Sequence, residues 1–376
     1  MLKKRIMLYI APIRYPTEKA HGIAIAKMCE AFNRHYNLQL IVPQIKQNLL
    51  MKGIDANELY NIKETFLIKS LFCIDLSRYN RYLSRIFHIL NYWIMLLSFY
   101  FAVSIYIWKV KTEIVYTRDI NLTMFIIFLN KKIYVEMHNF PANKYFHKYY
   151  KFLDKFIKGY VVINKNLKEE LIKIGIDQNK ILLAASGVDK QFFIRKDRNK
   201  LRIKYNYPQN KKIILYSGSF QKGKGVEFLL GVARKMEQEI FIIIGDYNKN
   251  EKLYKYYNQY PNIIFTGYIP YSQIADHLYC ADILVIPNDK KTIIYSTYTS
   301  PMKLWEYLAT GKPVIVSKVP GIENLVSSDD VIFYEPDNSQ DLIYKINNIE
   351  RFVKKTHFDV SKFTWEKRAE NIAHFI

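Results

Sequence analysis

YTSPMKLWEYLATGKPVIVS, Tyr298 to Ser317, decides the reading of this chain, because a short amphipathic helix with an open start runs through a glycine into a buried strand. Ser300 carries the hydroxyl of a helix cap, Pro301 suits the first helical position, and Gly311 suits the residue that ends a helix. Lys303 and Glu306 stand three residues apart on one face, while Met302, Leu304, Trp305 and Leu308 supply apolar surface for packing. Backbone N–H groups of Thr299 to Met302, without helical acceptors, would meet an anion there, and Lys303 adds a full positive charge. Glu306 repels phosphate but suits a pair of vicinal hydroxyls. Phosphate and diol within one reach describe a nucleoside diphosphate with its ribose, although the same spacing also fits an ordinary amphipathic helix with a surface Lys and Glu.

Working outward, strand-like runs alternate with helical ones along the whole chain. KRIMLYIAP, IAIAKMCEAFNRHY, LQLIVP, TEIVYTR, KKIYVEMH, YVVIN with the helix LKEELIKIG, and ILLAAS make a first series. After the polar stretch Lys196 to Lys212, read as a charged linker, come KKIILYSGS, VEFLLGVARKM, IFIIIGD, IIFTGYI, ILVIPN, the Ser300 helix, PVIVS and DVIFYE. Such alternation predicts an α/β protein of two similar domains, each a parallel sheet with helices on both faces. The final FTWEKRAENIAHFI reads as one amphipathic helix able to cap either domain.

With 376 residues, half of them apolar, the chain can bury two cores and is neither disordered nor fibrous. Lys and Arg outnumber Asp and Glu by 56 to 34, a net charge of +22 that favours phosphate-bearing partners: nucleotides, nucleic acid or anionic lipid. Cys29, Cys73 and Cys280 are far apart without metal-ligand spacing, which indicates a reducing compartment. MLKKRIMLYIAPIRYP has too short an apolar run for a signal peptide and reads as a first strand. Ile86 to Trp108 has the length of a membrane span, but His88, Asn91, Ser98 and Ser104 interrupt it, and it is read as a core or interfacial helix.

Ligands of doubly wound domains sit at the carboxyl ends of strands. Gly218-Ser219-Phe220-Gln221-Lys222-Gly223-Lys224 follows one such strand and satisfies seven positions of a phosphate-loop motif. Gly225 then stands where a Mg²⁺-holding Ser or Thr belongs, so the reading that survives is a glycine-rich turn that binds phosphate without a metal, or a solvated turn. In the first domain His21 and Gly22 fall where the first helix begins, with Gly22 open to close approach of a ligand. Strand ends also deliver Arg118 and Asp119, and Glu136 and His138, side chains able to bond sugar hydroxyls or move protons near neutral pH.

Taken in order, AHGIAIAKMCEAF, the strand ending VEMH, VVINKNLKEELIKIGIDQNKILLAASGVDKQFF, ILYSGSFQKGKGVEFLL, FTGYIPYSQIADHLYCADILVIP and SPMKLWEYLATGKPVIVSKVPGIENLV resemble glycosyltransferase family 4, retaining enzymes of the bacterial cell-surface polysaccharide type. The resemblance covers nearly the whole chain. It implies a GT-B fold, with two Rossmann-like domains facing each other and a C-terminal helix crossing back to the first; the boundaries expected are 1–195, 196–355 and 356–376. Carried over by position, Lys224 neutralises the leaving pyrophosphate, amides around Thr299, Ser300 and Pro301 hold its distal phosphate, and Glu306 grips the ribose. Gly218, Ser219 and Lys222 belong to the same donor site, and backbone near Gly267 and Tyr268 reads the base. His138 contacts the donor sugar, Gly22 admits the phosphate or acceptor, and His21, Arg118, Glu136 and Tyr298 are further sugar or acceptor contacts.

The sequence departs from that family at two places. Tyr298 stands where the first of two glutamates belongs, and Ser219 where an Arg often follows the loop glycine, with Lys222 or Lys303 as substitutes for its charge. The activity implied is transfer of a sugar from a UDP- or GDP-sugar to a glycan or lipid-linked acceptor, with no tightly bound cofactor and no obligatory metal. A cytoplasmic protein on the inner face of an anionic membrane is expected from the basic charge and the aromatic segments Ile86 to Trp108 and Asn143 to Tyr160. Three other readings predict different behaviour: a nucleotide-sugar epimerase of the same shape, an integral membrane protein, and a basic nucleic-acid-binding protein, the last without any recognisable binding module.

Overall fold

Apolar runs without alternation, such as IMLYI and IFIII, form strands covered on both faces, as the central strands of a parallel sheet must be. The computed structural model describes residues 4–47, 51–76, 85–141, 143–353 and 358–376. Two units separate: Met1–Ile163 with Leu167–Ala184 and Arg368–Ile376, and Asn164–Asn166 with Ala185–Lys367.

Unit 1 holds β1 (Ile6–Ile10), β2 (Asn37–Pro43), β3 (Leu67–Leu71), β4 (Ile114–Thr117), β5 (Lys132–Met137), β6 (Ile157–Val162) and β7 (Ile181–Leu183). They form one sheet in the order β3-β2-β1-β4-β5-β6-β7, parallel at every pairing. Unit 2 holds β8 (Ile213–Ser217), β9 (Ile240–Ile244), β10 (Ile263–Gly267), β11 (Ile283–Ile286), β12 (Val314–Ser317) and β13 (Ile332–Tyr334), parallel in the order β10-β9-β8-β11-β12-β13. Both orders reverse direction once, at β1/β4 and at β8/β11. Loops at the carboxyl ends beside those reversals are where such a sheet offers a crevice.

Several expectations are corrected. Residues 196–212 are no linker: Arg198–Lys204 is a helix of unit 2, and Arg202, buried, donates to the carbonyls of Cys280, Gln209 and Lys211 and pairs with Asp282 at 2.7 Å. The change of unit falls at Ala184/Ala185 and not at 195, because Asp189 and Gln191 already pack in unit 2. The boundary expected at 355/356 lies outside the described residues. Trp365–Phe375 is the terminal helix, and from Arg368 onward it belongs to unit 1, where Tyr134 Oη donates to the Ile376 carbonyl at 3.1 Å. The Ile86 to Trp108 stretch lies in a helix, Arg85–Lys109, that is neither wholly buried nor free: Leu96, Phe99, Val103 and Ile107 pack inward while the opposite face stays in solvent.

Candidate functional site

In unit 2 the loop from Gly218 to Gly225 joins β8 to the helix Val226–Ala233. Its glycines are dictated by contacts. Gly218 has φ +151°, and a Cβ there would lie 2.5 Å from Lys303 Nζ. Gly225, at φ +72°, occupies the cap position, where a Cβ would lie 1.6 Å from the Pro287 carbonyl oxygen. The loop therefore hugs both the β11 end and the Lys303 side chain, which only bare backbone permits.

Two amines converge on this loop. Lys224 Nζ sits 4.0 Å over the Tyr295 ring, and burial pushes its pKa down to about 8. Lys303 Nζ sits 4.0 Å over the Tyr216 ring, has no hydrogen-bond acceptor, and is held well below the usual lysine range by burial and by nearby Lys224. A buried ammonium is stable only beside a partner. These two lean on ring faces, and an anion beside the loop could pair with both. Lys222 is exposed, while Lys303 brings its charge against Gly218, the residue before Ser219.

Lys303 and Glu306 both belong to the helix Met302–Ala309. The cap expected from Ser300 is absent: Pro301 occupies the cap position with ψ 121°, and the Ser300 hydroxyl accepts instead from the Ser186 N–H at 3.1 Å. Pro301 itself has no N–H to offer, which leaves Met302 and Lys303 as the first-turn donors. Asn164 straps the approach by donating to the Thr297 and Thr299 carbonyls at 3.1 and 3.2 Å. Gly311 ends the helix at φ +69°, as its position predicts. Glu306 is buried, and burial pushes its carboxyl up to about 7 against the opposing Tyr271 hydroxyl and Lys303. Tyr298 is half-buried just ahead of this helix. Gly267, at φ +76°, accepts from the Gly245 N–H at 3.0 Å, and half-buried Tyr268 follows it at the end of β10.

In unit 1 the ends of β4 and β5 bring Arg118, Glu136 and His138 together. Glu136 Oε2 accepts from Tyr116 Oη at 2.5 Å and lies 3.1 Å from Arg368, while Oε1 lies 2.5 Å from His138 Nε2. Arg118 NH2 approaches the same His138 nitrogen at 2.6 Å. Burial by itself would raise the Glu136 carboxyl, but Arg368, His138 and Arg118 outweigh it and hold it well below the carboxylate range. His138 is lowered to about 4 by burial and Arg118, and His21 to about 4 by burial with Arg118 and Lys19. Both shifts favour neutral rings at pH 7. At Gly22 the space a Cβ would take is filled by Thr17 Cγ2 at 2.5 Å and Tyr60 Oη at 2.6 Å, so an internal contact already requires the glycine.

Reading by sequence missed Arg368, the rings of Tyr216 and Tyr295, and Tyr271. Tyr216, Tyr295 and Arg368 lie far along the chain from the residues they meet, Lys303, Lys224 and Glu136, and no local pattern marks those contacts. Among the described residues no group of three or more His, Cys, Asp or Glu side chains is placed to hold a metal ion.

Residues 211–351 match the protein family described as Glycosyl transferases group 1. An uncharacterised glycosyltransferase of Methanocaldococcus jannaschii is 22% identical over 230 residues, 56% of this chain and 57% of that protein. Alpha-galactosylglucosyldiacylglycerol synthase of Streptococcus pneumoniae is 23% identical over 166 residues, 42% of either chain. The chain thus spans about half the length of the curated relatives it matches. Among solved structures, Anabaena HepE in complex with UDP and glucose superposes with a TM-score of 0.67 at 14% identity, over 98% of this chain and 94% of that one. The stretch 211–351 thus matches the group 1 glycosyl transferases, and the two parallel-sheet units have the GT-B fold.

Proposed function

We propose that this protein moves a sugar from a nucleoside diphosphate sugar, UDP- or GDP-linked, to a glycan or lipid-linked acceptor of the cell surface, with retention at the anomeric carbon. The observation that carries the reading is the pair of amines, the buried Lys303 Nζ and half-buried Lys224, beside a glycine loop at the sheet reversal of unit 2. A diphosphate is the ligand that satisfies both. Their charge would stabilise the leaving group as the C1–O bond breaks, and a diphosphate so held can take the acceptor's proton as the acceptor oxygen bonds to C1 from the same face. The N–H groups of Met302 and Lys303 add donors, Glu306 suits the ribose diol, and the backbone at Gly267 and Tyr268 is assigned to the base. In unit 1 the neutral His138 beside Arg118 is suited to hydrogen bonds with sugar hydroxyls. The UDP held by HepE and the diacylglycerol glycolipid named for the S. pneumoniae synthase support the donor and acceptor classes.

A thermal-shift panel of UDP, GDP, ADP and CMP tests the reading, since binding to the native state raises the melting temperature by mass action. A shift with UDP or GDP is expected, and Glu306→Ala should reduce it. No shift with any nucleotide, in a folded sample, would remove the site. Consumption of the donor sugar with no acceptor present would point to epimerisation instead.

A further inference from the structure

The solvent face of the helix Arg85–Lys109 is too apolar for water. Leu90, Trp93, Leu97, Phe101, Ile105 and Trp108, spaced three or four apart, are all exposed, Phe101 by 65% and Trp108 by 74%. This face has neighbours of its own kind. Ser104 Oγ donates to the Phe125 carbonyl at 3.0 Å and the Tyr100 and Phe125 rings lie 5.3 Å apart, which places the segment bearing Phe128, 89% exposed, beside the helix. Asp119 bonds Tyr100 and also acts on Tyr149, so the helix Lys144–Leu153 adjoins the same corner with Tyr145 exposed by 83%.

The charge around this surface is one-sided. Between residues 85 and 160 there are eleven Lys and Arg against four Asp and Glu. Lys144, Lys148, Lys151, Lys155 and Lys158 are exposed and alternate with the aromatics, whereas Glu136 and Asp119 are engaged inside the unit. We propose that this face of unit 1 docks on an anionic lipid bilayer, with the aromatic stripe at the acyl boundary and the lysines among phosphate headgroups. A second copy of this chain would bring the same lysines and repel. A bilayer-spanning role is opposed by the inner face, where Leu96, Phe99, Val103 and Ile107 are buried, Tyr106 Oη donates to Gln39 at 2.7 Å and Asn91 Oδ1 accepts from the Leu76 N–H at 2.9 Å. At about 1.5 Å per residue the helix offers roughly 37 Å of length lying flat. The argument uses unit 1 alone and supplies the membrane partner of the reading above.

The chain carries its own reporter: of four tryptophans, Trp93 and Trp108 lie on this face while Trp305 and Trp365 are buried. Full-length protein is mixed with phosphatidylcholine vesicles, with or without phosphatidylglycerol, and flotation and tryptophan emission are followed at low and high salt. The expected result is flotation with the anionic vesicles only, a blue shift, quenching by brominated acyl chains, and release by salt. Leu97→Glu/Phe101→Glu and, separately, Lys144→Glu/Lys148→Glu/Lys151→Glu should each lower partitioning by about tenfold or more while melting temperature and UDP shift stay unchanged. No flotation, equal binding to neutral vesicles, resistance to alkaline carbonate, or a dimer that the glutamate variants dissolve would each overturn the proposal. The UDP shift in the same samples separates its failure from failure of the donor site.

Discussion

Replacing Lys224 by Met should make the protein more stable and a poorer nucleotide binder. The amine, ordinarily near 10.5, is pushed down to about 8 by burial, and about 1.36 kcal/mol per pH unit puts the ceiling of that penalty near 3 kcal/mol. Part of the side chain reaches water, so about 1–2 kcal/mol is the working figure. The sign follows from protons bound. Below pH 8 the amine is charged in both states and the folded state bears the full penalty; between pH 8 and 10.5 the unfolded chain binds more protons, so stability rises with pH. Methionine keeps the stem over the Tyr295 ring and drops the charge. Thermal melts at pH 7 should show a gain of roughly 2–8 °C for a domain of this size class, vanishing above pH 10.5. In calorimetric titration with UDP the loss of one charged contact should weaken binding by roughly 10- to 100-fold. A variant that melts lower than wild type at pH 7, or a difference independent of pH, would refute the account of the amine. Unchanged UDP affinity would take Lys224 out of the donor site.

Three further substitutions test separate parts of the structure. Burial pushes Glu306 from 4.5 up to about 7, so its contribution is fully present below pH 4.5 and is lost as pH rises through 7; Glu306→Gln should flatten that slope, by up to about 3 kcal/mol in urea unfolding compared at pH 5 and pH 8. Gly225→Ala forces a Cβ within 1.6 Å of the Pro287 carbonyl at a left-handed φ and should lose about 2–4 kcal/mol, read from urea midpoints; a loss under 1 kcal/mol would mean the loop moves freely. Arg368→Met strips the buried Glu136 of a partner at 3.1 Å and should cost about 3–5 kcal/mol, with part recovered when Glu136→Gln is added; no recovery would deny the pairing.

Legibility followed burial. Among the described residues, twelve of the thirteen strands are runs that the chain spells out as largely apolar segments, nine of them because strands inside a parallel sheet meet helices on both faces. The exception is β3, LIKSL, an edge strand exposed along its length, so no apolar constraint marks it. The helix with Lys303 and Glu306 was equally plain, since Gly311 and the 3.6-residue spacing are local facts. Its first turn was misread because Ser300 and a capping serine look alike until Ser186, 114 positions away, claims the hydroxyl.

What the sequence by itself determined, then, is the alternation of buried strands and amphipathic helices, the glycine loop and the residues set beside it, all of which depend on neighbours within a few positions. What only the tertiary structure decided is the charge state and company of those residues. Tyr216 beneath Lys303, Tyr295 beneath Lys224 and Arg368 against Glu136 come from distant segments. The desolvation that neutralises His138 and lifts Glu306 depends on everything packed around them, and composition and spacing along a chain do not encode it one residue at a time.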